Sequence, residues 1–333
     1  MERGRAVIRY MARRALGWLG MIFLATNLTY FLASFYLNPR SNYVARRPKL
    51  PESQIDQMLA QYNLNDKDPI LERWWTWLTG VLTRWDWGSS PTGGSVNDEI
   101  AFRVWVSAEL VLGASILMTL LGVGLGVYTA SRQYRRADRV WQGISIIAMN
   151  IHIVVAAMIV VMAGIWFNQR MGSTVLFVTG AQSVGVEGIG PRLLDAARHL
   201  VLPTIALVMT GYAGTHFMQR SLLLDNINAD YVRTARAKGL TRSQAIRKHA
   251  LRTSIIPVAT SVAFTIPTLF TGAVMTETIF GWEGMGRYFV ETISKNDING
   301  AVAVAAFGAA MTALGAILAD MVVVALDPRV RVS

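Results

Sequence analysis

Six long apolar runs limit what this 333-residue chain can become. They fall at about 15–37, 104–130, 140–167, 200–219, 253–277 and 300–326, and each is near the ~20 residues a helix needs to cross ~30 Å of hydrocarbon. Apolar residues make up 53% of the chain and charged ones only 16%, with the charges gathered in blocks between the runs. That pattern excludes a soluble globular chain and predicts an all-α integral membrane protein with six transmembrane helices. A basic stretch precedes the first run, as in a signal peptide. The run is longer than an h-region and lacks a small-residue cleavage site, so it is expected to stay as the first span.

Lys and Arg favour the cytoplasmic side, and here the blocks alternate. Arg3, Arg5, Arg9, Arg13 and Arg14 precede the first run; Arg132, Arg135, Arg136 and Arg139 follow the second; eight basic residues lie between the fourth and fifth; and Arg329 and Arg331 close the chain. These segments hold most of the basic residues and few of the acidic ones. Both termini are therefore expected in the cytoplasm of a multi-pass cell-membrane protein. A net charge of +11 then belongs to an inner membrane face rather than to nucleic acid, which is not expected as a partner. Without cysteine, disulfides, thiolate catalysis and Cys-based metal sites are excluded together.

The fourth-to-fifth connection, about 228–252, is too short for a domain. Asp230 is a plausible N-cap, Gly239 supplies a residue free to turn left-handed, and Thr241 with Gln244 fits a capping box. The segment reads as helix, Gly turn, helix, membrane. Ala235 and Ala237 among Arg233, Thr234 and Arg236 give its first helix a slender face that another protein's groove could approach.

The stretch 38–103 carries two amphipathic patterns. Ile55, Met58, Leu59 and Tyr62 repeat at helical spacing after Pro51; Ile70, Leu71, Trp74, Trp75, Leu78, Val81 and Leu82 do so after Pro69. Trp74, Trp75, Trp77, Trp85 and Trp87 are expected at the outer lipid interface, where an indole keeps its body dry and its N–H wet. An aromatic surface for a delivery protein is the other reading.

Several motifs occur in order: YNLNDKDPILERWWTWLTGVLTRWDWGSS at 62–90, RHLVLP at 198–203, DYVRTARAKGL at 230–240, KHALRTSIIPV at 248–258, ETIFGWEGMGR at 277–287 and LDPRVRV at 326–332. In these the chain resembles permease subunits of binding-protein-dependent ABC importers, the oligopeptide/dipeptide (peptide/nickel) group. The resemblance implies a type I ABC importer transmembrane architecture. Residues 1–103 would form the tail, first span and external helical segment; 104–333 would form the permease core with five spans. It also implies that Tyr231, Arg233, Thr234, Ala235, Arg236, Ala237, Lys238 and Gly239 dock into a cytoplasmic ATPase. The implied partners are a second homologous permease, two ABC ATPase subunits, an extracytoplasmic substrate-binding protein, a peptide and the lipid bilayer. No GxxxxGK[ST] sequence is present, so the chain is not expected to be an enzyme or to hold a cofactor; ATP and Mg would sit on the ATPases.

Asn150 and His152 lie about ten residues into the third run, where polar groups face protein or water. They either line the translocation path or bond helix to helix. The family usually has a Ser/Thr-Pro-x-Phe-like sequence there, and this chain has MNIHI, without the proline. Gly122 and Gly126 form a GxxxG pair suited to close helix packing, and Pro257 and Pro267 are expected to bend the fifth span. His199 and His216 show no metal-ligand spacing. A secondary active transporter would need a coupling-ion constellation, and a non-transporting membrane assembly protein would leave the ordered 228–252 segment unexplained.

Overall fold

The computed structural model describes residues 2–44 and 47–326, with side chains for all of these except 2–12, 266, 268, 271 and 272. Arg329 and Arg331, which entered the charge argument, lie outside the described residues, as do the side chains of Arg3, Arg5 and Arg9. Among the described residues the protein is helical, with one isolated bridge between Ser89 and Ser95 and no strand. Five stretches are long and apolar enough to cross a membrane: Arg13–Val44, Val96–Ser131, Ile153–Met171, Ile189–Ile227 and Ile298–Leu326. A spanning segment must satisfy its own backbone, which a helix does.

The remaining expected span, 253–277, falls on a 22-residue helix, Leu251–Gly272, that runs through both Pro257 and Pro267. The third expected span is interrupted. One helix ends at Asn150, another begins at Ile153, and Ile151 and His152 between them are extended.

The chain folds into two compact units. The first comprises the residues up to Ala108 with Phe270–Val274 and Glu283–Ala313. It contains α1 (Glu2–Tyr36), α2 (Ser41–Val44), α3 (Glu52–Gln61), α4 (Ile70–Arg84) and the start of α5 (Val96–Ser131). Pro51 and Pro69 stand immediately before α3 and α4, where a missing N–H costs nothing. The inward stripes of these two helices close over Tyr30, Tyr43, Leu59, Leu64 and Trp77, all buried. Each such burial contributes about 1.5–3 kcal/mol. Trp77 stacks on Tyr30 with ring centroids 4.8 Å apart, and the Trp74 indole N–H donates to Asn27 Oδ1 at 2.7 Å. Trp77 is therefore buried, which corrects its expected place at the lipid interface; Trp74 is half-buried, and Trp75 and Trp85 remain exposed. Arg40 fastens the loop below, reaching Asp56 and Asp66 at 2.6 Å each.

The second unit comprises Glu109–Leu269, Met275–Trp282 and the residues from Leu314 on. Here α6 (Arg136–Asn150) and α7 (Ile153–Met171) pack on the long α8 (Ile189–Ile227). The rest of α5 approaches α8 closely at its GxxxG pair. A Cβ on Gly122 would stand 2.6 Å from Thr215 Cβ, and one on Gly126 would stand 2.7 Å from Gln219 Cβ. Only glycine lets the backbones come this near. Between the helices lies a buried polar chain in which His216 Nδ1 is 2.7 Å from Ser145 Oγ and Nε2 is 3.0 Å from Thr129 Oγ1. A second buried group, His199 with Ser183 and Asp195, pins the loop before α8 to its first turns.

Candidate functional site

Downstream of α8 the chain turns at Asn228 and enters α9 (Asp230–Ala237). Its N-cap is Ala229, which has extended backbone and no capping side chain, so Asp230 is the first helical residue rather than the cap. There its carboxylate complements the helix dipole.

The helix ends in a Schellman arrangement. Gly239 N–H donates to Arg236 O at 3.0 Å, Leu240 N–H donates to Ala235 O at 3.3 Å, and Gly239 stands at φ +94°. Nothing lies within 4 Å of where its Cβ would be, so the requirement for glycine is conformational rather than steric. Two residues on, the Thr241 hydroxyl accepts from Gln244 N–H at 3.3 Å while Gln244 Oε1 accepts from Thr241 N–H at 3.0 Å, a complete capping box. This opens α10 (Arg242–Ala245), which widens into a π turn at Ile246–Ala250 and continues as α11 (Leu251–Gly272).

What seats the segment is a small apolar core. Val232 and Ala235 turn inward against Ala130, Leu223, Ala245, Ile246 and Ala250. Ala235, expected on the docking face, is therefore corrected to a seating residue: it is 7% exposed and belongs to the face that holds α9 on its own chain. The outward face presents Tyr231, Arg233, Thr234, Arg236, Ala237, Lys238 and Gly239, all exposed. The Tyr231 hydroxyl donates to Asn226 Oδ1, which orients the ring. Arg233 lies 3.6 Å from Asp230, but both side chains are solvated and the pair adds little.

Asp138 was not singled out from sequence. It is 1% exposed, and its two oxygens accept from Arg220 Nε and Nη2, both at 2.9 Å. That bond locks the first turn of α6 to α8, seven residues before the end that leads into α9. No sequence spacing announces it, because its partners are 82 residues apart.

Asn150 and His152 flank the break between α6 and α7. Asn150 Nδ2 donates to Ile146 O at 2.7 Å, and His152 Nδ1 accepts from Val154 N–H at 3.3 Å, so each bonds within its own turn and both are exposed. The break needs no proline: His152 supplies the N-cap that starts α7.

Residues 122–332 match the family described as binding-protein-dependent transport system inner membrane component. The chain belongs to this family. It is 40% identical to the oligopeptide transport system permease protein OppB of Mycobacterium tuberculosis over 326 residues, which cover 98% of this chain and 99% of that protein. It is 31% identical to the oligopeptide transport system permease protein AppB of Bacillus subtilis, over 85% of this chain and 87% of AppB. The dipeptide transport system permease protein DppB of Escherichia coli K12 is also 31% identical, over 83% and 84% of the two chains. For an inner membrane component of this family, the helices Val96–Ser131, Ile153–Met171, Ile189–Ile227 and Ile298–Leu326 are the ones in or reaching into the matched stretch that are long and apolar enough to cross a membrane.

Proposed function

We propose that this chain is the transmembrane permease subunit of an ATP-driven importer of oligopeptides or dipeptides, forming half of the translocation path beside a second homologous permease. The relatives' names and their near-complete overlap with the chain support the cargo class. In this reading six helices cross the membrane, the Leu251–Gly272 helix among them, and both termini lie in the cytoplasm. Residues 104–333 are the permease core. An extracytoplasmic binding protein delivers the peptide, and two cytoplasmic ATPases hold ATP and Mg.

The observation that carries the coupling role is the way α9 is held. Its inner face is seated by Val232 and Ala235, its C-terminus is closed at Gly239, and a capping box starts the helix that follows. A helix held this way transmits displacement instead of absorbing it. When the ATPases close on nucleotide, Tyr231, Thr234, Ala237 and Lys238 would carry the movement through α10 into α11, with Arg233 and Arg236 orienting the contact. Two alternating arrangements of the spans would then expose the path to either side. Asn150 and His152 border the path in this reading.

Mass spectrometry of proteins co-purifying with the tagged chain tests it, comparing wild type with a variant disrupted on the exposed positions from 231 to 238. ATPase subunits and a second permease are expected with wild type, and the ATPases are expected to be lost from the variant. Stably folded wild type without any ATPase would overturn the coupling role.

A further inference from the structure

Turned away from α8, one face of α5 forms an open apolar stripe that ends in a basic notch. Residues 120, 124, 127 and 131 share that face by helical spacing. Ile116, Leu120 and Leu121 are exposed, and a Cβ on Gly124 would meet nothing within 4 Å. Leu120, Leu121, Gly124, Leu125, Tyr128 and Trp141 line a hollow of about 400 Å³. Further along the same face, Val127 and Ser131 wall a second hollow of about 330 Å³, completed by Arg242, Ser243, Ile246 and Arg247. Its floor is apolar and its rim carries two guanidinium groups. Among the described residues neither arginine forms an ion pair, whereas Arg220 on α8 is paired with Asp138.

We propose that notch and stripe together hold one anionic phospholipid, with its phosphate against Arg242, Arg247 and the Ser243 hydroxyl and an acyl chain along Leu120, Gly124 and Val127. Charge complementarity selects the headgroup, since guanidinium forks pair with phosphate oxygens. The contiguous apolar stripe selects an amphiphile over a carboxylate-bearing protein segment, which would satisfy the arginines without needing the stripe. The stripe lies on a helix long and apolar enough to span a bilayer, so a lipid reaches it by lateral diffusion. A lipid held there would tie the base of α10 to α5 and make the seating of α9 depend on lipid charge. This goes beyond the importer reading and requires only that the chain sit in a membrane.

The test places the full chain, with whatever partners co-purify, in nanodiscs of phosphatidylcholine with a minor share of phosphatidylglycerol, and counts retained lipids by native mass spectrometry. Wild type is expected to retain phosphatidylglycerol in preference to phosphatidylcholine. The double variant Arg242→Gln, Arg247→Gln is expected to lower that preference about thirtyfold, the equivalent of two interfacial charges. Gly124→Leu, which has room to fold and keeps every charge, is expected to lower it too by filling the stripe. Equal retention of the two lipids by wild type, or an unchanged preference in the double variant, would overturn the proposal. So would release by inorganic phosphate alone, which marks a free-anion site, or loss of a co-purifying protein with lipid unchanged, which marks a protein contact. Should the double variant fail to fold, the wild-type preference and Gly124→Leu decide.

Discussion

Asp138 and Arg220 meet in a two-point ion pair, oxygen to nitrogen at 2.9 Å on both arms, although 82 residues separate them. The carboxylate also accepts from Tyr134 N–H at 2.9 Å and Gln142 Nε2 at 2.8 Å, so its lone pairs are well used. A buried charge with this many partners is tolerated; one stripped of its counter-ion is not.

Replacing Asp138 with Ala is expected to cost about 3 kcal/mol, the lower end for a broken buried pair because Arg220 keeps some access to solvent. Thermal unfolding of the purified chain in detergent checks this. Burial pushes the Asp138 carboxyl up, but the Arg220 bonds and the Tyr134 N–H outweigh it and hold it below the usual carboxylate range. A depressed folded value means the contribution is complete above the unfolded pKa of about 4 and is lost as pH falls through the folded one. Wild type should therefore lose stability on acidification below about pH 4, and Asp138→Asn should lose less.

Asp297 has the opposite sign. It caps the helix Ile298–Leu326, with Gly300 N–H donating to Oδ1 at 2.9 Å, and is 3% exposed. Burial pushes its carboxyl up to about 6, against the Gly300 and Asn299 amides. Between about pH 4 and that value the folded chain keeps a proton that the unfolded chain has shed, so stability falls as pH rises through this window and is level above it. Asp297→Asn keeps a capping oxygen and is expected to flatten the slope in a melting series. An unchanged slope would assign it to another group.

Gly239→Val forces a β-branched residue into left-handed backbone, a strain of about 1–2 kcal/mol. The spans are expected to insert normally while ATP hydrolysis by the assembled complex no longer drives uptake. Gly239→Asn, which tolerates that backbone, should recover most of the coupling. Coupled transport in the Val variant at the wild-type ratio would sink the proposed turn.

Asn150→Ala and His152→Ala remove side chains that bond only to their own turns in the structure. Assembly is expected to survive, and uptake across a peptide panel is expected to shift in preference. Unchanged preference in both variants would return these residues to helix capping alone.

The helices flanked by punctuation were legible in the sequence: Pro51 and Pro69 announce α3 and α4, and Gly239 with Thr241 and Gln244 announces the turn into α10. The inward turn of Ala235 could have been read from its i, i+3 relation to Val232, but two apolar residues in an eight-residue helix are a weak stripe. Trp77 shows the deeper limit. Residue type put it at the lipid interface, and nothing local says that it packs instead on Tyr30, 47 residues earlier. The break at 151–152 escaped because neither glycine nor proline marks it; the signal was a polar residue able to cap, inside an apolar run. The Asp138 pair left no local trace at all.

The gap between α6 and α7 has a price measured in permeability. Two extended residues interrupt the backbone hydrogen-bond ladder, and hydrocarbon offers nothing to replace the missing partners. If this run crosses the bilayer, water or a second protein must be present at that depth throughout the transport cycle. Where water is that partner, the carrier has a wetted point inside the membrane and lies one seal away from an ion leak, so the resting protein has to be closed on at least one side of Ile151 and His152 whether or not cargo is bound.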